Sequence, residues 1–257
     1  MGTSELTRVV LAPNPGPMTL DGTNSYLISA PGAGSVVVVD PGPDDAGHVA
    51  ALAANGPVEL ILLTHFHSDH SGASAELHRA TGAPVRALDP SFCIEADPLI
   101  DGERIEAAGV RIRVMATPGH TADSVCFLLE DDGETGSILT GDTILGRGTT
   151  VIAPGGGSLA AYLDSLGRLR ELGPLAVRPA HGQALPDLEA ISRTYLDHRL
   201  QRLDEVRTAR RTLGTDASAS AITDLVYRDV SPDVRLAAEA SVQAQLDYLD
   251  ERTDTTE

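Results

Sequence analysis

Three imidazoles and a carboxylate crowd into the six positions His65-Phe66-His67-Ser68-Asp69-His70. Imidazole nitrogen and carboxylate oxygen are ligand atoms that zinc, iron and manganese accept. The chain holds 8 histidines in 257 residues, so three within six positions is a poor match to chance. His65 and His67 alternate about Phe66 and can face one side. Asp69 and His70 follow after a turn and can address a neighbouring point. This spacing suits two metal ions side by side better than one. The competing reading is a polar surface loop with accidental histidines.

The cluster needs a rigid frame. Directly before it, Val58-Glu59-Leu60-Ile61-Leu62-Leu63 reads as a buried strand; after Gly72, an Ala/Leu-rich segment reads as a helix to about Thr81. The cluster is therefore expected on a loop held by a sheet and a helix. Residues with ligand chemistry recur wherever other apolar runs stop. Val36-Val37-Val38-Val39 ends in Asp40, whose carboxylate can cap a turn or orient a metal-bound histidine. The second role is preferred, because this strand is expected beside the one leading to His65. His120 follows Thr117-Pro118-Gly119, Asp142 follows Gly141 at the end of another strand, and His181 precedes Gly182. One shared cleft at several strand tips accounts for this recurrence.

Other strands are expected over 8–12, 24–29, 85–88 and 124–130, with a hairpin of 104–107 and 110–116 turning at Ala108-Gly109. Helices are expected over 44–55 and 158–172, the latter capped by Ser158 and stopped by Gly173-Pro174. His48 and His78 sit on helices without ligand spacing and are read as structural. The Pro/Gly-rich stretch 13–23 is read as a connector. The glycines of 146–157 can form a flexible flap over a site, but they lack the Lys-Ser/Thr of a phosphate loop. Beyond Pro186 the texture changes to a long Arg-rich helix over 187–213, a linker, and helices over 221–227 and 232–249. The tail 251–257 is expected to be disordered. Two regions follow: a catalytic domain, 1–186, and a C-terminal helical region, 187–257.

Composition narrows the partners. Hydrophobic residues make up 42% of the chain, enough for a large core, which must be aliphatic because aromatics are 3% and Trp is absent. The formal net charge of −18 repels nucleic-acid backbones at long range, and few aromatic platforms exist for base stacking. Cys93 and Cys126 are the only cysteines, too few for a disulfide framework. The first residues lack a basic and an apolar region, so no signal peptide is expected. No apolar run is long enough to span a membrane. The expected compartment is the cytoplasm, and the oligomeric state is left open.

His65-x-His67-x-Asp69-His70, then His120, Asp142 and His181 in this order, with Asp40 ahead of them, resembles the metallo-β-lactamase superfamily. Longer matches over 14–24, 141–150 and 226–230 are similar to its lactamase-beta-like-2 group, which includes mitochondrial single-strand endoribonucleases, fungal polyketide thioesterases and bacterial hydrolases. The resemblance implies an α/β fold, an αββα sandwich with a small winged-helix-like C-terminal appendage and two metal ions at the sandwich edge. It implies that His65, His67 and His120 hold one metal. Asp69, His70 and His181 would hold the other, Asp142 would bridge them, and Asp40 would support the site without touching metal.

Two such cations acidify a shared water, and the bridging hydroxide then attacks a carbonyl or phosphoryl centre. Asp69 can hold the nucleophile's proton, so Asp69 and Asp40 are the candidate catalytic residues. No Ser-x-x-Lys or Gly-x-Ser-x-Gly element offers another nucleophile. Tyr195, His198 and Arg199 are candidate substrate contacts, against the plain reading of a solvated helix face. The preferred function is hydrolysis of a thioester, ester or related small acyl substrate, with two zinc ions, iron and manganese being the other choices. The alternative is a metal-dependent endoribonuclease acting on single-stranded RNA. β-Lactamase activity ranks lower because those lactamases generally lack the bridging carboxylate that the resemblance places at Asp142, and a non-catalytic metal-binding protein ranks low as well because the seven candidate ligands are intact. A basic rim of Arg147, Arg178 or Arg199 would favour RNA; an apolar tunnel would favour acyl substrates.

Overall fold

The computed structural model describes residues 4–254. Strands β1 (Thr7–Leu11), β2 (Asn24–Ile28), β3 (Val36–Val39), β4 (Val58–Leu62) and β5 (Val85–Arg86) form one sheet in that order. Strands β6 (Arg104–Ala107), β7 (Val110–Ala116), β8 (Val125–Leu129), β9 (Ser137–Gly141) and β10 (Ala176–Pro179) form a second, ordered β10-β9-β8-β7-β6. The helices are α1 (Ala46–Ala53), α2 (Ser68–Ser71), α3 (Ser74–Thr81), α4 (Leu159–Arg170), α5 (Leu188–Leu213), α6 (Ala219–Val226) and α7 (Arg235–Asp254).

Alternation along each strand builds three apolar layers. Val37 and Val39 of β3 and Leu60 and Leu62 of β4 pack with Ile112, Phe127 and Leu129 between the sheets. Val36, Val38 and Ile61 point the other way, onto Val49 and Leu52 of α1 and Leu77 of α3. Cys126, Leu128 and Ile138 face Tyr162 and Leu166 of α4 and Tyr195 of α5. Strands covered on both faces cannot tolerate polar positions, which is why the β3 run is wholly apolar. The result is an αββα sandwich. The far end of α5 carries Val206 and Ala209 into a smaller cluster with Ile222 of α6 and Val242 of α7. After β10 the described residues contain helices and no strand, so the appendage has no β wing.

Two parallel pairs set the active edge. β3 runs parallel to β4, and β9 to β10, so each pair ends on one side. The two sheets are tied together there. Thr64, just past β4, accepts the Val125 amide of β8 at 2.8 Å, and Asn24 donates its amide to Ala180 at 2.7 Å. The Asn24 side chain also donates to Pro179 and Gly182, at 3.0 and 2.8 Å. Gly141 holds φ 51°, and a Cβ there would lie 2.7 Å from Thr64, so only glycine permits this approach.

Three local expectations change. Asp69 and His70 lie in the one-turn helix α2 rather than on an open loop; the Ser71 and Gly72 amides bond back to the carbonyls of His67 and Ser68. The strand expected over 85–88 closes after two residues, because Ala87 turns to pair with Leu99 through its carbonyl. The expected disorder of the tail is replaced by helix as far as Asp254, with Arg252 bonded to Tyr248 one turn back, while 255–257 lie outside the described residues. His48 and His78 are structural as expected, against Ser25 Oγ at 2.8 Å and the Ala83 carbonyl at 2.8 Å. Cys93 and Cys126 are free thiols.

Candidate metal centre

Every ligand candidate arrives at one edge from a strand end or the short element after it. His65 follows β4, and α2 turns Asp69 and His70 back toward it. His120 follows β7, Asp142 follows β9 and His181 follows β10. The groups His65–His67–His120, His65–His70–Asp142 and Asp69–His70–His181 each bring their ligand atoms within 4.8 Å of one another. His67 Nδ1 stands 3.1 Å from His65 Nε2 and 3.0 Å from His120 Nε2. His181 Nε2 lies 3.2 Å from Asp69 and 3.3 Å from Asp142 Oδ1, while Asp142 Oδ2 lies 3.6 Å from His120 Nε2. The Asp142 carboxylate thus faces both groups of histidines, one oxygen to each.

The outer ring nitrogens explain why the inner ones are free to coordinate. His120 Nδ1 meets the Val151 carbonyl at 2.7 Å, and His181 Nδ1 meets the Gly22 carbonyl at 3.1 Å. A carbonyl only accepts, so both Nδ1 atoms carry the proton and both Nε2 atoms present lone pairs. His70 Nδ1 donates in the same way to Asp40 Oδ2 at 2.9 Å. The Thr64 hydroxyl donates to that same oxygen at 2.7 Å and therefore accepts from His65 Nδ1 at 3.0 Å. One buried carboxylate orients one histidine of each group. Asp40 also accepts the Thr64 amide at 2.8 Å.

The inner atoms lack protein partners. His70 Nε2, His181 Nε2 and Asp142 Oδ1 are buried and make no hydrogen bond among the described residues; their mutual distances are attractive but misaligned. Buried polar atoms left in this state ask for an explanation, and a cation supplies it. The electrostatics agree. Burial, reinforced by the neighbouring histidines, pulls His65 well below the ordinary histidine value, so its ring is neutral. Burial also depresses His70 and His181. Asp142 and Asp40 outweigh it at His70, Asp69 and Asp142 outweigh it at His181, and both rings are raised. Burial would raise Asp69, yet the close approach of the His181 and His70 rings holds it far below the carboxylate range. Acids clustered so tightly demand positive charge, which protons or metal ions can provide. The donor set fits a divalent metal site.

Beside His120 and Asp142 opens a cavity of about 380 Å³. Leu20, Leu145, Val151, Val230, Val234 and Ala238 give it an apolar wall. Arg147, His198, Arg199 and Arg202 also line it, whereas Arg178 lies away on β10, 4.0 Å from Asp132. Tyr195 does not reach the cavity. Its hydroxyl is 2.7 Å from the Gly148 carbonyl and 3.1 Å from the Leu145 amide, pinning the loop that supplies Val151 to His120. Arg199 donates to the Thr150 carbonyl on the same loop. Helix α5 therefore reaches the His/Asp cluster through backbone contacts. Sequence reasoning does not single out Thr64, Thr150 or Arg202. Thr64 adjoins His65 and Arg202 follows Arg199 by one helical turn, but backbone acceptors leave no sequence signal.

The sequence model of the metallo-beta-lactamase superfamily matches residues 18–181. An atrochrysone carboxyl ACP thioesterase of Aspergillus chevalieri is 35% identical over 213 residues, covering 79% of this chain and 65% of that protein. The chain thus spans under two thirds of the length of that fungal relative. A beta-lactamase-like protein 2 homolog of Caenorhabditis elegans is 30% identical over 258 residues, covering 96% of this chain and 84% of the homolog. A metallo-beta-lactamase family protein from Thermus thermophilus superposes with a TM-score of 0.79 at 26% identity, covering 96% of this chain and 94% of that one.

Proposed function

The chain belongs to the metallo-beta-lactamase superfamily, and we propose that it is a metal-dependent hydrolase of thioesters or related small acyl esters. The observation that carries this reading is a partly enclosed, largely aliphatic cavity opening directly onto His120 and Asp142. An acyl chain gains about 25 cal/mol per Å² by leaving water for such a wall. The thioesterase name of the fungal relative agrees with it.

In this reading His65, His67 and His120 would hold one cation, Asp69, His70 and His181 would hold a second, and Asp142 would offer an oxygen to each. Nitrogen and oxygen donors without a thiolate suit zinc, iron or manganese, and zinc is our choice. Cations held there supply Lewis-acid polarisation of the substrate oxygen and a water acidified toward neutrality. The protein's own part is orientation. Asp40 keeps the Nε2 lone pairs of His65 and His70 pointed inward. Asp69 is the more open of the two candidate ligand carboxylates, its side chain 28% exposed against 12% for Asp142, and in this reading it accepts a hydrogen bond from the attacking water. His198 and Arg199 contact substrate from the cavity wall. The catalytic region ends near residue 186, and α5–α7 close the cavity from the other side.

Single-strand endoribonuclease activity is the second reading, favoured by Arg147, Arg199 and Arg202 at the cavity. Against it, Tyr227 is the only Phe, Tyr or Trp in the wall among the described residues, and its ring centroid is already 4.9 Å from the Arg202 guanidinium. Metal-loaded protein assayed on acyl thioesters of a small thiol, phosphodiesters, RNA and lactams separates the readings. Thioester turnover that disappears with chelation is expected. Turnover of RNA alone, or of none of these with metal retained, would refute the proposal.

A further inference from the structure

The protein carries a formal charge of −18, yet among the described residues its cavity is lined by three arginines and a single carboxylate, Asp142. Two of the arginines are under-used. Arg199 is 5% exposed and has no carboxylate partner among the described residues; it rests on the Thr150 carbonyl and over the Tyr162 ring, 5.1 Å from its centroid. Its Nε is buried without a hydrogen bond, as is that of Arg202. Arg202 pairs with Glu205 at 2.6 Å, and Arg147, exposed on the facing loop, has no ion-pair partner among the described residues. His198, beside Arg199 on the same helix, also lines the cavity, and burial together with both guanidiniums pulls it below its ordinary value. A buried cation without a counter-charge is costly, and guanidinium forks match carboxylate and phosphate oxygens.

Resting on the acyl-hydrolase reading, we propose that the cavity selects acyl substrates that bring their own anion, bound by Arg199 and Arg202 with Arg147 at the mouth, while the aliphatic wall takes the intervening chain. The anion is a carboxylate or phosphate oxygen. It sits either on the acyl group or on the thiol carrier, and the two sources are separable. Among the described residues Asp142 is the only acidic group of the lining, and it belongs to the candidate metal centre where the acyl carbonyl would sit, so a carboxylate at the other end of the acyl chain is the arrangement preferred.

The test compares N-acetylcysteamine thioesters of octanoate and of suberate, which differ by one terminal carboxylate, and coenzyme A octanoate, which places phosphates on the carrier instead. A bond between charged partners corresponds to about tenfold or more. The suberyl thioester is therefore expected to exceed octanoyl at least about tenfold in kcat/KM, with the ratio collapsing toward one in R202M and R199M. Because Arg199 also steadies the Thr150 loop, the readout is the ratio between substrates, which general damage lowers equally for both. A preference for coenzyme A over N-acetylcysteamine octanoate that is lost in the same variants would place the anion on the carrier. Equal rates on all three, unchanged in ratio by either variant, would overturn the proposal while leaving the hydrolase reading intact. If no thioester is turned over, calorimetry with free suberate and octanoate still decides. Suberate binding about tenfold tighter, dependent on Arg202, upholds the anion site without the hydrolase, and equal binding sinks it.

Discussion

Asp40→Asn is the sharpest perturbation of the centre because it is nearly isosteric. Asp40 is 1% exposed and holds φ 52°, a left-handed backbone region that Asn adopts more readily than Ala. Its Oδ2 accepts from both Thr64 Oγ1 and His70 Nδ1, and its Oδ1 accepts the Thr64 amide. An amide nitrogen at the Oδ2 position faces the His70 Nδ1 proton. Relief requires the His70 proton to move to Nε2, and the Thr64 hydroxyl, now an acceptor, must send its own proton to His65 Nδ1. Both rings would then point N–H groups at the centre. Placing the amide nitrogen at Oδ1 instead sets it against the Thr64 amide. Either way one charge-assisted bond, worth about 1.5–3 kcal/mol, is lost. Metal affinity is expected to fall about 10–100-fold and stability of the metal-free protein by about 1–3 kcal/mol. Competition with a chromophoric chelator measures the first and urea unfolding the second, while imidazole nitrogen chemical shifts report the tautomers. Unaltered affinity, with His70 still protonated at Nδ1, would refute the reasoning.

Asp142→Ala is expected to lose most bound metal and nearly all hydrolysis, because its two oxygens face different histidine groups; wild-type metal content by elemental analysis would contradict that role. Tyr195→Phe should cost about 1–3 kcal/mol by orphaning the Leu145 amide and the Gly148 carbonyl, and should loosen the 145–151 loop, read as faster amide exchange there. His48, depressed by burial below the ordinary value of 6.5 despite Asp45, is bound neutral against Ser25. The unfolded chain takes up its proton first, so this contribution is full above about pH 6.5 and is lost as pH falls toward the folded value. In metal-free protein His48→Gln should flatten that limb of the stability–pH curve, and an unchanged slope would exclude it.

The candidate ligands can be picked out in the chain because metal chemistry restricts residue type, and the structure brings these seven His and Asp residues to one edge. The apolar runs Val36–Val39 and 58–63 likewise announce strands covered on both faces, since a run of this kind is a local property. Strand adjacency alone places Asp40 beside His65, but its sharing by Thr64 and His70 needs α2 to fold His70 back. Tyr195, expected at the substrate, instead clamps a loop, since a helix face shows its periodicity and not its neighbour. The acceptors of His120 and His181 are backbone carbonyls of Val151 and Gly22, which any residue could provide and no side chain records. The cationic lining of the cavity arises where α5 meets the 145–151 loop, a contact some 50 residues apart in sequence. Residue chemistry is written locally, whereas complementary charge and lone-pair direction exist only once distant backbone has been packed into place.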